Sequence, residues 1–476
     1  MTVSKRRNGA TSKSELPAHA RKAVVVILIG AILSLLDATV VNVAVKSLSL
    51  SLNSSLAVIQ WVVTAYLLAQ AAVLPVTGWA ARRMGAARLY LGALLIFTIA
   101  SIWCGLSDTA GELIAARVVQ GIGGGAMLPA GQMVLVAAAG SEGLAKVMAA
   151  VGIPMVLTPV VGPTIGGLLL EYAGWPWIFL INVPIGAAGL ALGLWLLPRA
   201  ASTDSAGPLD LPGLMLASTG MVGLTYGLTE IGAHGIGTVR VLIPLTAGLA
   251  AIVLFATRAL RIPHPLLDLR LYRDALFSSA ALTTFLIGAA TFGAMVLLPL
   301  YFQSVRGQDP AHTGMLLAPQ GLGAAVAMAA SSRIFDRIGS MICVIGSMIG
   351  VAATVPFLLI TDTTPYWLLG VSMVMRGVGI GLAAMPAMTV ALRGLSPSQI
   401  SDATPQLNIM QRLGGSIGTA VFVTVLGDQL RDSGIQSSVQ AAAFGTTFAW
   451  VLAAAVFAIV PTIAMALLER RSRLRV

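Results

Sequence analysis

Charged side chains are scarce in this sequence. Of its 476 residues, 10% are Asp, Glu, Lys or Arg, whereas 57% are hydrophobic and the mean hydropathy is +0.90. A water-soluble protein of this length has no use for so much apolar surface, and long apolar runs with few charges are typical of membrane helices. The composition therefore excludes a soluble globular protein and predicts an all-α polytopic membrane protein.

Cysteine and histidine are also scarce, with two and four residues. Cys104 and Cys343 both lie in apolar stretches, where a small buried residue is the simplest interpretation, and no Cys or His pair has the spacing of metal ligands. We therefore expect no disulfide, no metal site and no redox pair. The net charge of +11 is spread over short loops and both tails, which argues against a nucleic-acid partner.

Fourteen apolar stretches are long enough to cross a bilayer as helices. Several contain Gly or Pro, which membrane helices tolerate when neighbouring helices satisfy the backbone. The stretches lie near residues 23–45, 57–77, 87–107, 111–133, 146–169, 176–197, 211–230, 239–257, 277–302, 312–331, 341–360, 366–390, 405–427 and 441–467.

Lysine and arginine are distributed unevenly between the two sides of these stretches. With the N-terminus inside, 22 of them lie on the inner side and 4 on the outer side, while Arg117, Arg376 and Arg412 lie within stretches. Inner loops of membrane proteins carry an excess of basic residues. The sequence therefore predicts a multi-pass protein of the inner (cytoplasmic) membrane with both termini in the cytoplasm, which requires an even number of spans; twelve and fourteen both satisfy this.

The first and last parts of the chain resemble each other weakly. The loops at residues 78–88 and 332–340 are both short, basic and glycine-containing, and stretches four and twelve each carry an Arg before a glycine-rich run. Internal repeats of this kind are typical of secondary transporters, which bind substrate between their halves near the midplane. We predict two six-helix bundles at residues 1–200 and 263–476, with a linker and two additional helices at 201–262.

Acidic residues deep inside the stretches are almost absent, and Asp37 is the only one that we find. An acid there costs roughly 2.5–3.5 kcal/mol on insertion scales and by default indicates function. Ser34 shares its helical face, while Thr39 and Asn42 share another. We interpret Asp37 as a proton-binding group; the alternative is a structural acid that only hydrogen-bonds neighbouring helices.

The fourth stretch supplies a candidate partner for this acid. Arg117, Gln120 and Gly121 lie on one helical face, which Gly124 and Leu128 continue. A buried Arg needs an acid or a carbonyl, and Asp37 is the only deep acid. An Arg nearby favours the ionised carboxylate and an Arg further away favours the protonated one, so a changing distance would couple protonation to shape. The alternative is a static ion pair that holds the bundle together.

The fifth stretch is rich in proline and glycine. Pro159 and Pro163 are four residues apart, as are Gly162 and Gly166. The prolines bend a helix, and the glycines form a small-residue stripe for tight packing. A helix that is merely kinked is consistent with any function.

Other polar and aromatic side chains are candidates for lining a cavity between the halves. Trp and Tyr near the ends of spans also serve as interfacial anchors, which is the competing interpretation for the aromatic members. The candidates are Ser34, Asn42, Gln60, Trp61, Thr64, Gln120, Gln411 and Arg412.

These motifs together resemble the major facilitator superfamily, in particular its fourteen-span drug/proton antiporter family. The resemblance covers nearly the whole chain and includes LDATVVNVA (36–44), GWPWIFLINVPIG (174–186) and PLLDLRLYR (265–273). Arg117, Gln120 and Gly121 match the fourth-helix motif of that family. The fifth-helix antiporter motif is matched by Gly162, Pro163, Gly166 and Gly167, and the cytoplasmic loop motif by Gly78, Arg82, Arg83 and Gly85, with a second copy at Asp336, Arg337 and Gly339.

Two residues depart from the family pattern. Lys46 stands where the first-helix signature usually ends in Pro, and Arg82 stands where the loop motif usually has Asp, although the second copy keeps Asp336. If charged residues of the first loop hold a gate closed, Arg82 must pair with a different partner from the one that the usual acid would bind. Otherwise this chain has no such gate.

The resemblance implies the major-facilitator fold and a proton-coupled efflux antiporter, with the proton as coupling ion and no cofactor. We expect lipophilic substrates, monovalent cationic, neutral or zwitterionic rather than dicationic, and a monomer in the lipid bilayer. The alternatives are an exporter of one metabolite or antibiotic, a proton-coupled uptake symporter, or a membrane receptor or enzyme. No nucleophile–base pair, metal set or phosphate loop supports catalysis.

Overall fold

The computed structural model describes residues 16–197, 207–431 and 437–473, and these ranges contain helices and no strand. The helices are α1 Ala18–Ser51, α2 Leu56–Val73, α3 Thr77–Met84, α4 Ala86–Gly105, α5 Ala110–Tyr172, α6 Trp177–Leu180, α7 Asn182–Leu196, α8 Leu211–His234, α9 Val239–Arg261, α10 Ala275–Leu300, α11 Pro310–Ile338, α12 Met341–Thr354, α13 Tyr366–Leu392, α14 Pro397–Arg431 and α15 Ser437–Arg473. Single turns at Leu74–Val76, Leu269–Arg273, Tyr301–Val305 and Val355–Leu359 extend or join them.

The predicted apolar stretches correspond to these helices. Within the described ranges, thirteen helices are long and apolar enough to span a membrane, and Gly143–Met155 is a further, shorter apolar helix that begins the fifth stretch. Stretches four and five form two helices that meet at Gly140, where φ is 62°, and the label α5 covers both. A residue without a Cβ adopts this left-handed conformation readily. The two helices therefore follow one another with this one non-helical residue between them.

Glycines bring α2 and the first part of α5 close together. A Cβ on Gly121 would lie 2.6 Å from the carbonyl oxygen of Tyr66, and a Cβ on Gly125 would lie 2.7 Å from Cα of Gln70. These positions exclude any side chain, so the predicted close approach of a neighbouring helix to this glycine-rich run is confirmed.

The buried apolar residues show how the two bundles meet. We call the end at which α1 begins and α15 ends the terminal end, and the opposite end the far end. At the terminal end, one continuous core joins residues of both bundles, among them Ile27, Leu135, Phe335, Met388 and Leu407. At the far end, the cores are separate: one contains Leu48, Ile59 and Leu113, and the other contains Leu297, Phe357 and Phe444. Among the described residues, the apolar cores of the two bundles are thus continuous at the terminal end and separate at the far end.

The two additional helices, α8 and α9, pack against each other through Gly223 and Gly248. They lie against α2 of the first bundle, where the Ser218 hydroxyl donates to the Ala72 carbonyl at 2.7 Å, and against α14 of the second bundle, where Ile231 and Ala420 share one small core. The hairpin therefore flanks the contact between the bundles. The domain limits of 200 and 262 stay predictions, and the first lies outside the described residues.

Candidate functional site

The carboxylate of Asp37 lies inside the first bundle. It projects from α1 toward α5, where Nη1 of Arg117 is 2.5 Å from its Oδ2 atom. Both side chains are completely buried. The expected partnership between the deep acid and the arginine of the fourth stretch is therefore present as a direct ion pair.

Two amide groups bind the other carboxylate oxygen. Nε2 of Gln120 lies 2.9 Å and Nδ2 of Asn182 3.1 Å from Oδ1 of Asp37. Both amides also donate to the hydroxyl of Ser101, at 2.6 Å and 3.1 Å. We call these five residues (Asp37, Ser101, Arg117, Gln120 and Asn182) the Asp37 cluster. Its members come from α1, α4, α5 and α7, and each is no more than 2% exposed.

The Arg117 guanidinium is held by several groups besides the carboxylate. Its Nε donates to the carbonyl of Val62 at 3.0 Å, and its Nη1 donates to Oε1 of Gln120 at 2.7 Å. The guanidinium carbon lies 3.9 Å from the centre of the Tyr66 ring. A cation over an aromatic face is stabilised by the ring quadrupole. The cluster thus holds an acid and a base away from solvent, because almost every polar atom of the two side chains has a partner.

Asn182 and Ser101 are the members of the cluster that sequence analysis missed. Each is a single polar residue within an apolar stretch, Ser101 in the third and Asn182 in the sixth. Polar residues inside membrane helices face the bundle interior, which was the available signal. The spacing of residues along the sequence does not show which helix each of them faces, because their contacts with other helices form only when the chain folds.

A run of hydrogen bonds connects the face of Asp37 to the second bundle. The Ser34 hydroxyl donates to the Gly124 carbonyl at 3.2 Å, and the Gln70 amide donates to the Ser34 hydroxyl at 3.4 Å. Arg412 of α14 donates from Nη2 to Oε1 of Gln70 at 2.9 Å. Tyr66, which lies over Arg117, donates to the Ser34 carbonyl at 3.1 Å. The two bundles therefore meet at Gln70, whose amide binds the serine that lies one turn from the acid.

The remaining cavity candidates are dispersed. Asn42 is exposed and bonds to the Ala38 carbonyl of its own helix. Trp61 is 42% exposed and stacks on Tyr226 of α8, with ring centres 5.7 Å apart. Gln60 is exposed, and Thr64 and Gln411 are half-buried. Ser34 and Gln120 are buried inside the first bundle, so the role of this set in substrate binding stays a prediction.

The glycines of the fifth-helix motif pack against α1. A Cβ on Gly162 would overlap the hydroxyl of Thr39, and one on Gly166 would lie 2.9 Å from Cγ1 of Val40. Gly167 has no heavy atom within 4 Å of such a position. The side chain of Pro163 lies outside the described residues. The predicted small-residue stripe thus contacts the helix that carries Asp37.

The loop motif has the different partner that the sequence left open. Nη1 of Arg82 forms an ion pair with Asp402 of α14, with side chains 13% and 16% exposed. Beside it, a Cβ on Gly78 would lie 2.5 Å from the Ser401 carbonyl oxygen. This contact joins the two bundles at the terminal end. Other motif members lie at the surface or in the turns: Arg83, Asp336 and Arg337 are exposed, and Gly85 and Gly339 have φ values of 87° and 62°.

The Major Facilitator Superfamily model matches residues 27–419. The chain belongs to the Major Facilitator Superfamily. A relative from Mycobacterium tuberculosis (strain H37Rv), named multidrug resistance protein B homolog, is 38% identical over 415 residues, which cover 86% of this chain and 77% of that protein. The superfamily resemblance drawn from the motifs is therefore confirmed, and the protein is a multi-pass membrane protein of a transporter family.

Solved structures show the same fold at low sequence identity. The human organic anion transporter MFSD10 superposes with a TM-score of 0.63 at 17% identity, covering 94% of this chain and all of that one. The proton:xylose symporter XylE superposes with a TM-score of 0.61 at 14% identity, covering 92% and 95%. These likenesses confirm the major-facilitator fold, with fourteen predicted spans consistent with the helices described above.

Proposed function

We propose that this chain is a proton-coupled multidrug efflux antiporter that exports lipophilic compounds across the inner membrane by alternating access. The name of the mycobacterial relative supports drug transport. The observation that carries proton coupling is the fully buried Asp37 carboxylate with its Arg117 partner. Coupling requires a group that takes up and releases a proton while it is shielded from the other side of the membrane, and an intramembrane acid is suited to this.

The proposed coupling step is a change in what surrounds Arg117. With Asp37 ionised, one carboxylate oxygen binds the guanidinium and the other binds two amides. A proton on Asp37 removes the charge that holds Arg117, which is otherwise bonded to Val62 and Gln120. Because α5 carries Arg117 and continues through Gly140 to contact the second bundle, loosening this pair favours a shift of α5 relative to α1.

Substrate would enter between the bundles. They are packed together at the terminal end and have separate cores at the far end. With both termini in the cytoplasm, as the basic residues predict, this arrangement is the outward-facing one. Lipophilic substrate would lie between α1, α2 and α14, near the bond between Gln70 and Arg412.

The decisive experiment compares Asp37→Asn with the parent protein in proteoliposomes that carry an imposed pH gradient. We expect drug flux driven by the gradient to be lost, because an amide cannot carry a proton. Drug binding, measured separately by fluorescence, should persist. Asp108→Asn, which changes an exposed acid outside these motifs, is the matched control and should transport like the parent. Coupled flux in Asp37→Asn at the parental rate would show that the proton is carried elsewhere.

Arg117→Lys tests the arginine with its charge retained. A lysine cannot bind the carboxylate, Gln120 and Val62 in one plane as the guanidinium does. We expect slower coupled flux and a changed pH profile of transport. If this variant transports like the parent with the same pH profile, specific coupling through Arg117 is wrong and a static ion pair remains.

Two further measurements separate the alternatives. A substrate panel distinguishes a multidrug exporter from an exporter of one metabolite or antibiotic, since only the first transports chemically unrelated lipophilic compounds. The direction of flux in right-side-out and inverted vesicles distinguishes export from uptake symport.

Reporter fusions at both termini test the cytoplasmic orientation, and single-particle mass measurement tests the expected monomer.

A further inference from the structure

Arg376, in α13 of the second bundle, is a buried cation with few partners. Its side chain is 3% exposed, and its Nη2 donates to the Ala290 carbonyl at 2.7 Å. Its Nη1 has no hydrogen-bond partner, and no carboxylate pairs with it, among the residues that the structure describes. An arginine keeps its charge at any physiological pH, so burying one without a counter-ion is unfavourable.

The guanidinium borders a half-open cavity of about 50 Å³ in this bundle. The cavity lies between α10, α12, α13 and α15, and Thr291, Ser347 and Thr354 are the hydroxyl-bearing residues that line it. The hydroxyl of Ser347 is buried and likewise has no partner among the described residues. Two unpartnered groups that can donate hydrogen bonds, one of them charged, thus border the same cavity.

The internal repeat explains why a cation remains there. By their order in the two bundles, α10, α12, α13 and α15 correspond to α1, α4, the first part of α5, and α7, which are the helices of the Asp37 cluster. The arginine is present in both. The groups that bind the acid in the first bundle are replaced by small residues in the second: Gly379 follows Arg376 by three residues, as Gln120 follows Arg117, and α15 contributes Ala455 and Ala458 where α7 contributes Asn182.

We propose that this cavity binds a small monovalent anion, with Arg376 Nη1 and Ser347 Oγ as its donors. Charge selects an anion, because only a negative group balances the guanidinium. Volume restricts its size, since about 10–15 Å³ suffices for one water and 50 Å³ holds a halide, a nitrate or a single carboxylate group but not the whole of a drug-sized molecule. The anion comes either from solution, with chloride the abundant example, or from a carboxylate group on a transported compound.

Thermal unfolding of the purified protein in chloride, bromide or nitrate, against gluconate at equal ionic strength, tests the proposal. Gluconate carries the same charge and is too large for the cavity. We expect a saturable rise in Tm of about 2 °C or more with the small anions. Crystals grown with bromide should show an anomalous peak beside Arg376. Equal Tm values in all four salts, with no such peak, would overturn the site.

Variants assign the effect to the cavity. Arg376→Met should lose the anion dependence, whereas Arg337→Met, which changes an exposed arginine, should keep it. Thr291→Asp supplies a carboxylate from the cavity wall, so its Tm should equal that of the anion-saturated parent and no longer respond to salt. This variant keeps the test decisive if Arg376→Met does not fold, because a parental salt response in Thr291→Asp contradicts the proposal.

The same assay distinguishes the two sources of the anion. Acetate, added in place of bromide, reports whether a carboxylate is accepted. A carboxylated transport substrate that occupies the site should raise the bromide concentration needed for half of the Tm shift, whereas a neutral lipophilic substrate should not. The proposed site does not depend on proton coupling. Asp37→Asn should therefore retain the full anion response.

Discussion

Asp37 is a charged residue whose surroundings supply nearly every partner that water would otherwise provide. The sequence predicted its depth, its pairing with Arg117 and the shared face with Ser34, because these follow from hydropathy and helical spacing. Asn182 and Ser101 could not be assigned to it, since a single amide or hydroxyl in an apolar stretch carries no information about which helix it faces. The ion pair could be predicted because charged residues are scarce in the apolar stretches. The contacts of Asn182 and Ser101 could be found only in the folded bundle.

The Asn182 amide is expected to stabilise the folded protein through Asp37. Asn182→Leu keeps the approximate size and removes a donor from a buried carboxylate, which should cost about 1–3 kcal/mol. Asn42→Leu is the matched control, because Asn42 is exposed and bonds only within its own helix; it should change stability by no more than about 0.5 kcal/mol. Thermal unfolding in the same detergent measures both. Equal Tm values for the two variants would show that the Asn182 bond contributes nothing.

At the scale of helices, α1 and α5 form the pair that holds the site. The sequence predicted a glycine stripe in the fifth stretch, and its contact with α1 through Thr39 and Val40 confirms tight packing. It also predicted stretches four and five as separate spans, and the two helices meet at the single non-helical residue Gly140. A single residue with positive φ interrupts the helix there, and a glycine in a polar segment of a sequence is consistent with either a loop or a kink.

The α1–α5 contact gives a matched pair of glycine substitutions in one helix. Gly162→Ala places a methyl group against the Thr39 hydroxyl, so it should destabilise the protein by about 1–3 kcal/mol. Gly167→Ala meets no atom within 4 Å and should be neutral or slightly stabilising, since alanine favours the helix. Thermal unfolding and drug transport would be measured for both.

A second-site change identifies the cause. Thr39→Ala removes the hydroxyl that the new methyl group meets, so it should restore part of the stability lost in Gly162→Ala. A Gly162→Ala protein as stable as Gly167→Ala would mean that the two helices separate easily, which would contradict a tightly packed α1–α5 pair.

For the whole molecule, the arrangement of the bundles decides the state of the transporter, and sequence analysis did not predict it. The repeat of basic loops predicted two bundles, but contacts such as Arg82–Asp402 join residues 320 positions apart. The sequence showed only that Arg82 stands where an acid is usual. The acid that pairs with Arg82 is on α14, in the other bundle. Such a partner is visible only once the bundles are placed side by side.

The Arg82–Asp402 pair is expected to hold the bundles together at the terminal end. Arg82→Ala leaves a mostly buried carboxylate unpaired and should cost the packed arrangement about 1–3 kcal/mol, which corresponds to a shift of about 5- to 150-fold toward opening at that end. Distances between spin labels on the two bundles, placed at the terminal end, measure the change. Arg83→Ala is the control, because the neighbouring arginine is exposed and should leave the distances unchanged.

Exchanging the charges, with Arg82→Asp and Asp402→Arg in one protein, should return the distances toward the parent, since the pair is formed again in reverse. If the exchanged protein is as open as either single variant, the ion pair does not determine closure, and the apolar core around Met388 and Leu407 closes this end without it.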